Sequence, residues 1–330
     1  MIRRRDFITL LGGAAAAWPL AAWAQQGARA RRIGVLIGLS ANDPESSRRL
    51  TAFRQGLQEL GWFDGRNVRL DVRWATGDAD RFRQYAAELI EHDPAVILAL
   101  GSTTLGPLQQ TTRTVPIVFA LVADPVGGGF VQSLAKPGGN ATGFTLFEYS
   151  ISGKWLQLLK EIAPRTTRVA FLRDHASPSG IGQFAALQSA ASLIGVEVSP
   201  ANVRDADEIE RNVGAFARGS NGGLIVTTTS VAIVHRELII ELAARHKLPT
   251  VYWDRFYVAD GGLISYGADT IDQCRRAAEY IDRILNGEKP GDLPVQAATK
   301  YQLSINLKTA KTLDLEVPPT LLARADEVIE

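Results

Sequence analysis

From Arg32 onward, short apolar runs alternate with stretches whose apolar residues recur every three or four positions. Residues 33–37, 95–100 and 116–122 are apolar runs of strand length, and 68–74 alternates as a half-buried strand does. Between them, Leu50, Phe53, Leu57 and Leu60 share one face of a helix over 46–60 that stops at Gly61, and 79–91 repeats the helical period. The alternation then begins again. Helices are predicted over 155–162, 184–194, 206–217, 231–245 and 274–285, and strands over 168–172, 196–203, 223–226, 249–253 and 263–266. Strands separated by helices build parallel sheets covered on both faces, because parallel neighbours need a long crossover. Two such runs in tandem predict two similar α/β lobes.

In open α/β sheets ligands bind beyond the carboxyl ends of the strands. In the first run those ends carry Ser40, Ser102, Thr103 and Asp124; in the second, Asp174, His175, Thr228, Ser230, Trp253, Asp254 and Tyr266. Small hydroxyls and carboxylates hold a small polar ligand, and rings can sandwich an apolar part of it. Asp124 follows a buried strand and precedes Pro125, so its carboxylate serves either a ligand ammonium or the N-cap of the next segment. The hydroxyls of Thr228 and Ser230 are open to the same two readings.

Other chemistries find no support. The first strand runs into a single glycine, Gly38, not G-x-G-x-x-G, and Gly127-Gly128-Gly129 is not followed by Gly-Lys-Ser. No G-x-S-x-G elbow is present, and His92, His175, His235 and His246 are scattered without metal-ligand spacing. No cofactor or metal is therefore expected. The lone Cys274 cannot form an internal disulfide.

The first residues change the compartment. Arg3-Arg4-Arg5, a soft apolar run to Leu20, and Ala22-Trp23-Ala24 before Gln25 form the three parts of an export signal, cleaved after Ala24. Arg4-Arg5-Asp6-Phe7-Ile8 resembles a twin-arginine signature, and no cysteine near the cleavage site offers a lipid anchor. Loss of residues 1–24, with three arginines and one aspartate, turns a net charge of +1 into −1. A neutral chain without a basic cluster is not expected to bind nucleic acid.

Several segments carry a family resemblance. Phe53-Arg54-Gln55-Gly56-Leu57 with Leu60-Gly61-Trp62, Ala123-Asp124-Pro125-Val126-Gly127, Lys136-Pro137-Gly138-Gly139-Asn140-Ala141-Thr142-Gly143, Ile264-Ser265-Tyr266-Gly267 with Asp269, and Asn306-Leu307-Lys308-Thr309-Ala310 together resemble the tryptophan/tyrosine-binding-like substrate-binding proteins of ABC transporters. The resemblance implies the type I, ribose-binding-like periplasmic fold, in which the chain crosses between lobes three times. Lobe 1 would be 31–146 plus 268–297, and lobe 2 would be 147–267 plus 298–330. It further implies a monomer in the periplasm that captures an amino acid or an aromatic or branched organic acid. The partner is a membrane permease driven by a separate ATPase subunit. Carried onto this chain, Ser102 and Thr103 would take a carboxylate, Asp124 and Asp269 an ammonium group, and Tyr266 or Trp253 an apolar side group. An exported α/β enzyme and a ligand-presenting sensor domain are the alternatives on the same architecture.

Overall fold

Apolar strands in the first part of the chain pair side by side. A computed structural model describes residues 30–174 and 178–330; the expected leader and His175 lie outside them. In chain order come β1 (Arg31–Ile37), α1 (Pro44–Glu59), β2 (Val68–Trp74), α2 (Ala79–Glu91), β3 (Val96–Leu100), α3 (Ser102–Thr111), β4 (Ile117–Val122) and β5 (Ala141–Thr145). The sheet order is β2-β1-β3-β4-β5, all parallel. β3 and β4 are buried at every position, as a sheet covered on both faces requires.

The second run supplies α4 (Ile151–Ile162), β6 (Arg168–Arg173), α5 (Pro178–Ile194), β7 (Glu197–Asn202), α6 (Ala206–Phe216), β8 (Gly222–Val226), α7 (Ser230–Val234), α8 (Arg236–Arg245), β9 (Thr250–Tyr252), α9 (Arg255–Ala259) and β10 (Ile264–Ala268). The chain then forms α10 (Thr270–Leu285) and returns through β11 (Tyr301–Asn306), α11 (Leu307–Thr312), α12 (Pro319–Leu322) and β12 (Glu327–Ile329). Seven strands lie in the order β12-β11-β10-β9-β8-β6-β7, parallel except where β11 runs against β10. Two parallel-sheet α/β lobes result, the fold class that the alternation predicts.

Helix α10 follows a strand of the second sheet yet packs on α1, β3 and β4 of the first lobe. The approach to α1 is close. A Cβ on Gly56 would stand 2.4 Å from the Arg275 carbonyl oxygen and 2.9 Å from Ala278 Cβ, so the contact needs glycine.

The structure departs from the expected elements in several places: β5, α9 and the elements after α10 are additional, α4, α5 and α10 begin earlier, and two departures have a local cause. The helix expected over 231–245 is divided at His235, whose φ of −102° and ψ of 28° end α7 and start α8. Helix α3, with Gly106 and Pro107 inside it, was hidden by its own breakers; Pro107, at the sixth helical position, has no N–H to give the Thr103 carbonyl, yet the helix continues to Thr111. Among the described residues no helix is long and apolar enough to cross a membrane.

Candidate ligand-binding site

The carboxyl ends of both sheets face one cavity between the lobes. It holds about 120 Å³ of enclosed space, open to solvent on one side. The first lobe contributes Ile37, Leu39 and Arg49, then Leu100 with Ser102 and Thr103, and Leu121 with Ala123. The second contributes Asp174, Thr228, Thr229, Ser230, Ile233, Val234 and Trp253.

Helix α3 begins at this cavity. Gly101 precedes it at φ +97°, and no side chain caps that end. The first N–H groups of a helix have no partner within it, and the helix dipole favours an anion there. Ser102 and Thr103 add two hydroxyls to the cavity lining at this end of the helix. Across the cavity, Thr229 is used locally: its hydroxyl accepts from the Ala232 N–H and caps α7. Thr228 and Ser230 on either side of it remain in the lining.

A backbone irregularity shapes the first-lobe wall. The pairing of β4 with β5 shifts between Phe119 and Val122, and Leu121 sits there with φ at +62°. Left-handed backbone at a bulky residue persists only where neighbours fix it. Gln273 of α10 does so, with its Oε1 accepting from the Leu121 N–H at 3.3 Å and its Nε2 donating to the Thr145 carbonyl at 3.1 Å. The bulge sets Leu121 in the cavity wall, a common use of bulges beside binding sites.

Trp253 forms part of the cavity floor, 2% exposed, with its ring edge-on to Phe256 at 5.6 Å. Beside it lies a buried charge cluster, of which position at a strand end brought out only Asp254. Arg49 Nε donates to Glu45 Oε1 at 3.2 Å, and Arg49 Nη2 stands 3.5 Å from Asp254 Oδ2. The other oxygen of Asp254 accepts from the Phe256 N–H and caps α9. Burial pushes the Asp254 carboxyl up to about 6, against the pull of Arg49.

Of the expected site residues, Ser102, Thr103, Thr228 and Trp253 come together in the cavity. Asp254 lies behind its lining, and Ser40 lies beside it, its carbonyl accepting from the Asp43 N–H. Asp124 stands in a separate hollow with Val126, Leu134 and Phe147. Its Oδ1 accepts from the Gly127 N–H at 2.8 Å and its Oδ2 accepts from the Tyr149 hydroxyl, so it fixes a turn. A Cβ on Gly127 would meet Asp124 Oδ2 at 1.8 Å, which explains the glycine without any phosphate. Asp269 caps α10 by accepting from the Ile271 and Asp272 N–H groups. The Tyr266 ring stacks on Tyr301 at 5.6 Å, and its carbonyl accepts from Trp155 Nε1. None of Ser40, Asp124, Tyr266 and Asp269 is in the cavity lining.

Arg49 left a signal that could have been read. It sits four residues after Glu45 and beside Leu50 and Phe53, on the buried and mainly apolar side of α1. A charged pair at helical spacing beside a buried stripe marks an ion pair held inside the molecule.

Comparisons with known proteins agree with this architecture. A family model described as ABC transporter substrate binding protein matches residues 33–329. A tyrosine-binding protein of Clostridioides difficile (strain R20291) is 25% identical over 282 residues, 85% of this chain and 81% of that protein. The solved structure of a conserved domain protein from Vibrio cholerae shares 26% identity with a TM-score of 0.85, covering 91% of this chain and 100% of that one. The structure of an ABC domain in complex with L-Trp from Streptococcus pneumonia has the same fold, with 24% identity, a TM-score of 0.85 and coverage of 91% and 100%.

Proposed function

We propose, from the premise that the chain belongs to the ABC transporter substrate-binding protein family, that it captures a small carboxylate-bearing solute of the amino-acid class between its lobes and delivers it to a membrane permease. One observation carries this reading. The uncapped start of α3, with Ser102 and Thr103, faces Thr228, Ser230 and Trp253 of the other lobe across the interlobe cavity. A carboxylate fits the α3 end, and Asp174 is a lining carboxylate suited to an ammonium group. The apolar side group would lie among Leu39, Leu121, Ile233 and Trp253. The likeness to a tyrosine-binding protein favours an aromatic side group.

Residues 31–146 plus 268–297 would move as one body, and 147–267 plus 298–330 as the other. A ligand touching both bodies stabilises the closed form by contacts that the open form lacks, which is a population shift. The closed form would then dock on the permease, which a separate ATPase subunit drives. Export through the leader at residues 1–24 puts this capture in the periplasm, with a monomer as the working unit.

A thermal-shift screen of the chain from Gln25 onward, against amino acids and aromatic and branched organic acids, tests the proposal. Binding to the native state alone raises the melting temperature by mass action. One chemical class should shift it, and chromatography should return that compound unaltered. Conversion of the stabilising compound would point to the enzyme alternative.

A further inference from the structure

Arg49 is 4% exposed, lies in the cavity lining and is incompletely satisfied. Its Nε is held by Glu45, but Nη2 has no hydrogen-bond partner among the described residues, and neither has Asp254 Oδ2 at 3.5 Å. The pair is divided between the lobes, with Arg49 on α1 of the first and Asp254 after β9 of the second. A guanidinium offers five donors in a fixed fork that matches a carboxylate.

We propose that Arg49 selects the carboxylate of the solute in this cleft, and that Asp254 takes up one proton from solvent as that carboxylate arrives. The inference deepens the small-carboxylate reading above and rests on it. Ser102 and Thr103 supply neutral hydrogen bonds; Arg49 supplies the positive charge. Two carboxylates, Glu45 and Asp254, share the one buried guanidinium of Arg49. A ligand carboxylate would be a third anion drawing on that guanidinium at a buried site, where like charges repel strongly. Protonation of Asp254 removes one of these anions and frees the fork for the ligand. No bond other than the new O–H on Asp254 forms or breaks.

Asp254 is the group placed to do this, since burial already holds its carboxyl up at about 6. The groups that face it are Arg49 and Glu45 from α1, Arg255 and Tyr257 from α9, and Thr270 and Cys274 from α10. Arg255 is committed to Glu327 at 2.7 Å, and Glu45 has a second partner in Arg48 at 3.6 Å. Burial pushes the Cys274 thiol up to about 12 and raises the Tyr257 hydroxyl too, so neither titrates near neutrality. The sign follows. Bound ligand raises the Asp254 pKa further, so binding takes up a proton above pH ~6 and tightens as pH falls, by at most ~tenfold per unit for one proton.

Calorimetric titrations with L-tyrosine and with hydroxyphenylpropionate, which lacks the amine, test this at about pH 6 and about pH 8 in buffers of different ionisation enthalpy. The wild type should bind at least roughly threefold more tightly at the lower pH, with a buffer-dependent heat that reports proton uptake. Asp254→Asn, which keeps the volume and the bond to Phe256, should bind with no pH slope. Arg49→Lys, which keeps the charge but loses the fork, should weaken both acids by roughly tenfold or more at unchanged circular dichroism. Tyramine, which lacks the carboxylate, should bind the wild type weakly and ignore that substitution. An Asp254→Asn variant with the wild-type pH slope, or an Arg49→Lys variant with wild-type affinity for both acids, overturns the inference alone. If no acid binds the wild type, the proposed function falls and the inference falls with it.

Discussion

Arg236 joins Asp43 across the two lobes: its Nη1 donates to Asp43 Oδ2 at 2.8 Å while its Nε donates to Asp260 Oδ2 at 2.7 Å. Asp43 is the N-cap of α1, with its other oxygen accepting from the Glu45 N–H, and Arg236 opens α8. The bond therefore ties the first helix of one lobe to a helix beside the cleft of the other. Loss of one partner of a largely buried, charge-assisted bond costs about 1–3 kcal/mol. Arg236→Met should weaken ligand binding by about 1–2 kcal/mol, mainly through faster release, and expand the ligand-free protein in small-angle X-ray scattering. Unchanged affinity and unchanged scattering would show that the bond does not hold the lobes together.

Asp124 tests the separation between site and turn. Its carboxylate is engaged by the Gly127 N–H and the Tyr149 hydroxyl, and its own φ is +45°. Burial, and then the bond to Asp124, raises the Tyr149 pKa. Asp124→Ala should lower stability by about 1–2 kcal/mol, read by urea unfolding, and leave the affinity for an amine-bearing ligand within about twofold. A loss of affinity without a loss of stability would return Asp124 to the ligand.

Asp254 predicts a pH dependence of stability in the absence of ligand. An aspartate is near 3.9 when unfolded, and burial raises this one to about 6 in the folded chain. Between those values the native state binds more protons than the unfolded state, so the stability from this group is full below about pH 4 and lost as pH rises to about 6. The loss should be on the order of 2–3 kcal/mol. Asp254→Asn should lack that component, so unfolding curves of the two proteins across this range should converge or diverge by that amount. Parallel profiles would contradict the assignment.

The α1–α10 contact is testable through Gly56. A methyl group there would press on the Arg275 carbonyl, part of a helix backbone that has little room to move. Gly56→Ala should destabilise the protein by about 1–3 kcal/mol, although alanine is the better helix former. A gain in stability would mean that the two helices separate easily.

Much of the fold was legible because its strands are short, continuous apolar runs and its helices keep a regular apolar stripe. Strand β2 and helix α2 coincide with the pattern at both ends. The pattern failed where local chemistry hid an element. Gly106 and Pro107 concealed α3, and the divide at His235 falls inside an unbroken apolar period. At the site, position at a strand end brought out Ser102, Thr103, Thr228 and Trp253, because the sheet geometry alone puts such residues at the cleft. It could not separate ligand groups from caps. Asp124, Asp254 and Asp269 all follow strands and all accept from nearby backbone N–H groups. Arg49 escaped for the opposite reason: it lies in a helix away from any strand end, yet it lines the cleft and pairs with Asp254 some two hundred residues away in the chain.

On the proposed function, a small carboxylate-bearing solute is held intact between the lobes. Native mass spectrometry of the chain from Gln25 onward, incubated with amino acids and aromatic and branched acids, tests it most directly. One carboxylate-bearing compound should bind per chain, be released unaltered on denaturation, and be absent when Thr103→Trp fills the cavity. No adduct with any of these acids, or release of a chemically altered compound, would contradict it.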